Sequence, residues 1–146
     1  MFAHEVLHRV FEVAQDFPAL PLQEEIECDR WAFRVLLDGA EGYTRQHSWN
    51  PATVRAKRLW GILITMMTIL SVTPRASWGT GTHPGISERL VRLLDSASDP
   101  VPDWFWETFA SILAAFIRKL GLIQAPIALS GGFRHFSYEL VSLMQP

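Results

Sequence analysis

Helical periodicity in most segments, start and stop signals between them, and no βαβ alternation predict a mostly α-helical domain for this 146-residue chain. Residues 2–17 open it. At about 100° per residue, Phe2, Val6, Val10, Val13 and Phe17 share one sector of a helix. His4 and His8 fall about 40° apart in another sector, beside Phe11. Pro18 and Pro21 then break the helix, because proline lacks an N–H and clashes with the preceding turn. A second helix is expected over Leu22–Asp38, with acidic residues in its first turns and Gly39 placed to end it.

Residues 39–50 read as a loop containing Gly42. Asn50 as N-cap with Pro51 at the first helical position starts a third helix, expected to reach about Val72. Beyond Leu59 it is apolar nearly all round, the pattern of a central core helix. "TPRASWGTGTHPG" is a glycine- and proline-rich loop leading to a helix over Ile86–Asp95. "SASDPVP" is the next loop, and a helix over Asp103–Leu120 ends at Gly121. "LSGG" makes one more break, and the tail from Phe133 fits helix or strand. No internal repeat is present.

Composition narrows the function classes. Apolar residues make up 49% of the chain, with six Trp and nine Phe, enough for a moderate core in one domain over residues 1–146. A net charge of −2 gives no electrostatic reason to expect nucleic acid as a partner. The apolar run Leu59–Val72 is shorter than the roughly 20 residues of a membrane span. No secretory signal opens the chain, and the single Cys28 excludes an internal disulfide, so the expected location is the cytoplasm.

The first helix spells "HEVLH". Histidines four apart lie on one helix face and can point at a single metal ion, while the glutamate beside the first can take a proton from the attacking water. Alone, the pentapeptide reads equally as a solvated polar face. A zinc site of this kind needs a third protein ligand, and no histidine occurs downstream at a suitable spacing. The second helix supplies "EEIECD", residues 24–29, in which Glu25 and Asp29 share a face. One could bind the metal while the other orients a ligand imidazole. Helix-dipole compensation explains an isolated acidic cluster as well, but not its succession to HExxH and a proline turn.

"HEVLH" followed by "EEIECDRWAFRVLLDG" resembles the gluzincin metallopeptidases, whose third ligand is the glutamate of an ExxxD motif. The short gap and "ECDRWA" most resemble the Lit family of phage-exclusion peptidases. "THPGISERL" is similar to a segment of the related HtpX and CAAX-prenyl protease group. The resemblance spans residues 4–90. It implies a zincin-like helical domain binding one zinc ion per chain through His4, His8 and Glu25. It further implies Glu5 as general base, Asp29 as the partner of a ligand histidine, and His83 as a donor to the oxyanion. His83 reads equally well as a plain loop histidine. Arg89 is expected to orient a neighbour or form a structural ion pair. Cleavage of a host protein during phage infection, with a phage-derived activator, is the implied role.

Relatives carry an edge strand before the HExxH helix that can pair with an extended substrate. Here Met1 lies three residues before His4. The expectation is an N-terminally incomplete or shortened frame, or another way of holding substrate. The rival reading is a proteolytically inactive remnant or interaction module that keeps the metal-site helices.

Overall fold

The computed structural model describes residues 2–79, 83–96, 101–129 and 131–144. Six α-helices account for most of the described residues, with no strand among them: α1 (Phe2–Ala14), α2 (Pro21–His47), α3 (Pro51–Val72), α4 (Ile86–Ser96), α5 (Asp103–Lys119) and α6 (Gly132–Ser142). The tail, open to either reading from its pattern, is therefore helical, with Phe136 and Leu140 one turn apart on its buried face. Parts of the two glycine- and serine-rich loops, residues 80–82 and 97–100, lie outside the described residues.

The core is built by α2 to α6. Leu59, Leu63 and Leu70 of α3 meet Leu90 and Leu94 of α4, and Phe105, Phe109 and Leu113 of α5 pack with Leu140 of α6. α5 lies against α6, α4 bridges to α2, α3 and α6, and α1 packs on α2. No described helix is long and apolar enough to cross a membrane.

Three expectations are corrected. α2 does not stop at Gly39 but continues to His47. Its buried stripe extends through Leu37, Ala40 and Thr44, so packing outweighs the helix cost of glycine, about 0.5–1 kcal/mol. Gly39 serves another purpose. A Cβ there would sit 2.9 Å from Arg58 Nη1, which donates to the Leu36 carbonyl at 2.6 Å. The helix ends at Ser48, left-handed with φ 54°, whose N–H donates to the Thr44 carbonyl.

The second correction concerns α1. It stops at Ala14, where Gln15 turns left-handed, and its valine sector faces outward: Val10 is 50% and Val13 85% exposed. The side chain of Phe2 lies outside the described residues. The histidine sector, not the valine one, packs on α2.

Third, α3 is not surrounded by protein. Leu59, Leu63, Met66 and Leu70 form one buried stripe, while Ile64 and Val72 are exposed. Part of its remaining surface, with Ile62 and Ile69, borders a deep cleft.

The start of α3 obeys its local signals. Asn50 Oδ1 accepts a hydrogen bond from the Thr53 N–H at 3.1 Å, and Pro51 occupies the first turn. Replacing this cap leaves a donor without its partner, so Asn50→Ala should lower unfolding free energy by about 0.5–2 kcal/mol in chemical denaturation. An unchanged midpoint would mean water serves the turn equally well.

Candidate metal centre

α1 and α2 meet through side chains that are polar and mostly shielded. His4 Nε2 and His8 Nε2 stand 3.0 Å apart, one helical turn separating their residues. Glu25 reaches both from the second turn of α2: Oε2 lies 3.4 Å from His4 Nε2, and Oε1 lies 3.3 Å from His8 Nε2. The proline turn at residues 18–21 lets α2 fold back so that its N-terminal acidic turns face the histidines.

Each ring has its other nitrogen held. His4 Nδ1 is 3.0 Å from Asp29 Oδ1, and His8 Nδ1 is 2.7 Å from Glu24 Oε1. A carboxylate accepts, so each Nδ1 carries a proton, and in the neutral form of either ring Nε2 is left as an acceptor. Both Nε2 lone pairs then point at one another and at the Glu25 carboxylate. Three acceptors with no proton between them repel unless a cation joins them. The donor set suits a metal: His4, His8 and Glu25 offer ligand atoms within 4.8 Å of one another. Two ligands of a tetrahedral zinc ion stand about 3.3 Å apart, close to the separations here.

Asp29 is anchored from a third helix. It is buried, and Arg89 of α4 donates to it twice, Nε to Oδ2 at 2.7 Å and Nη2 to Oδ1 at 2.6 Å. Burial pulls its carboxyl upward, but the hydrogen bonds from His4 and Arg89 outweigh this and hold it below its ordinary value. Arg89, expected to be an orienting or ion-pair residue, thus sits behind the carboxylate that holds His4.

His83 stands on the same side as the two histidines, with Nδ1 3.4 Å from Glu25 Oε1 and its side chain 61% exposed. Glu5 is exposed at the mouth of the same cleft. Cys28 is fully buried, and its thiol is pushed up to about 12, first by burial and then by Glu24, Glu25, Asp29 and Glu5. With the thiol protonated, Cys28 lies outside the group of converging ligand atoms formed by His4, His8 and Glu25.

Glu24 is the residue that sequence reasoning missed. Two histidines sharing a metal would each need an acceptor for the far ring nitrogen, and the motif pattern supplies only Asp29. The doubled glutamate at positions 24 and 25 carries no mark that sets it apart from an acidic first turn.

The cluster sits at the head of a cleft of ≈ 770 Å³ between α2 and α3, closed at the same end by Trp78, His83 and Pro84. This is a helical domain whose principal cleft ends in a two-histidine, one-carboxylate group. The chain belongs to the peptidase U49 family, whose model matches residues 1–109, and this is the family of Lit-type peptidases. The matched span contains α1 to α4 and the first part of α5, and so every residue of the cluster. No curated protein and no solved structure matches the chain.

The Asp29–Arg89 pair is open to a test without any metal. Arg89→Met leaves a buried carboxylate with its strongest partner gone, and breaking such a pair costs about 3–5 kcal/mol. Denaturation of the metal-free variant should show a loss of that order. A loss under about 1 kcal/mol would mean that His4 and water satisfy Asp29 alone.

Proposed function

We propose that the chain is a zinc-dependent endopeptidase of the phage-exclusion type, acting on a host protein in the cytoplasm, with a phage-derived activator. The observation that carries the metal assignment is the pairing of ring nitrogens. Both Nδ1 atoms are held by carboxylates, which leaves both Nε2 lone pairs converging with Glu25. Two histidines and one glutamate, with a fourth position left over, make the donor set of a catalytic rather than a structural zinc site.

His4, His8 and Glu25 would hold the ion, which supplies Lewis acidity and lowers the pKa of water to about 7. Asp29 and Glu24 fix the orientation and tautomer of the two rings, and Arg89 fixes Asp29. Glu5 adjoins the cluster without belonging to it, so its carboxylate is available to take the proton of the attacking water. As the peptide C–N bond breaks, Glu5 passes that proton to the leaving amine. His83 stands beside Glu25 at the same end of the cleft, and a ring N–H there can donate to the carbonyl oxygen as negative charge develops on it.

Metal content separates binding from chemistry. Purified protein should carry about one zinc per chain, and alanine at His4, His8 or Glu25 should abolish it. Glu5→Gln should keep the zinc and lose nearly all peptidase activity, because an amide cannot accept the proton. Full zinc in all three alanine variants would overturn the ligand assignment, and parental activity in Glu5→Gln would remove it from the mechanism.

For His83, loss of one oxyanion donor typically lowers turnover by about 100- to 1,000-fold. His83→Ala should do so with zinc content and melting temperature retained. A drop confined to KM would assign His83 to substrate binding instead.

A further inference from the structure

The cleft that ends at the histidines continues between α2 and α3 well beyond them, and the proton-transfer chemistry uses none of that length. Its walls are Phe33 and Leu36 from α2, with Ile62, Met66 and Ile69 from α3. From the Asp29–Arg89 end to Arg58 at the other, no described residue lining it carries a charge. Arg58 donates to the Leu36 carbonyl and so marks the far end. The helical rise from Glu25 to Leu36 is about 16 Å. That is the length of about five residues of extended chain.

Gly61 lies in this wall and has no local reason to be glycine. It is in the middle of α3, where glycine costs stability relative to alanine, and its φ is not positive. A Cβ built on it meets nothing within 4 Å. Gly39 shows the contrast, since there a Cβ would strike the Arg58 guanidinium. A side chain at Gly61 would project into the open cleft and not against this chain's own atoms.

We propose that the α2–α3 groove holds an extended, apolar stretch of about five substrate residues on one side of the scissile bond, and that Gly61 sets the depth available to a bulky apolar side chain. This rests on reading the histidine cluster as a peptidase centre. The continuity of groove and cluster in one cleft argues for peptide substrate as the occupant. Burial of apolar side chains supplies the affinity, and the uncharged walls disfavour acidic or basic residues at the same positions.

The test uses the zinc-loaded Glu5→Gln chain, so that binding is read without turnover. Two labelled peptides share one central sequence, flanked on one side by five residues rich in Leu, Ile and Phe, or by five of Gly and Ser. Fluorescence anisotropy should give the apolar peptide at least about a tenfold tighter Kd, from burial of even one such side chain. Adding Gly61→Leu should erase that preference while leaving the Gly/Ser peptide unaffected. The fold should persist, because leucine is the better helix former and its Cβ meets no atom there. Gly42→Leu, another open helical glycine but one outside the cleft, is the control and should keep the preference.

Equal affinity for the two peptides, or a preference that survives Gly61→Leu, overturns the groove assignment. Cleavage by the parent chain that is indifferent to the flank does the same while leaving the peptidase reading intact. A flank preference sensitive to Gly61, in a parent chain that cleaves nothing, keeps the groove and overturns the peptidase reading.

Discussion

Two imidazole–carboxylate contacts hold α1 on the rest of the molecule. A helix of 13 residues is marginal in water by itself, and this one turns Val10 and Val13 outward instead of burying them. Its seat on α2 is made by His4 against Asp29 and His8 against Glu24, with Leu7 and Phe11 half-buried beside them. The same contacts determine which ring nitrogen carries the proton. Docking of the helix and orientation of its ring nitrogens are one event.

The chain of dependence runs on into the core. Asp29 is held by Arg89, and α4, which carries Arg89, is fixed by Leu90, Leu93 and Leu94 among the most buried side chains of the protein. The cluster therefore stands at the edge of the packed core, not within it. Its own groups remain reachable from the cleft while their orientation is set by packing on the far side of α2. Charge is concentrated there for the same reason. Glu24, Glu25 and Asp29 are tolerated side by side because two rings and a guanidinium face them.

Legibility in the sequence divides along a physical line. Local signals were readable. Asn50 with Pro51 began a helix, Gly121 with its positive φ closed one, and i,i+4 spacing told which side chains share a face. Features decided by a distant partner were not. Gly39 looked like a helix stop because nothing nearby in sequence reveals Arg58 lying over it. The shared sector of Val6, Val10 and Val13 in α1 was readable, but not that Val10 and Val13 face outward while the histidine sector makes the contact. Juxtaposition of His4, His8 and Glu25 could be anticipated from two spacings and a proline turn. Glu24 could not be told from an ordinary acidic first-turn residue without the ring it touches.

Arg89 lies 60 residues beyond Asp29 in sequence, although the two touch. During synthesis the HEVLH segment is made well before the arginine that completes its surroundings. Until α4 has emerged and packed, Asp29 has no guanidinium behind it, and the ring it holds has no fixed direction. Long-range contacts of this kind form late, after the loop between them has closed. The surroundings of His4 are thereby completed only when α4 is in place. α1 and α2 can pair as soon as both are made, yet the direction of their polar contact waits on a segment 60 residues further along the chain.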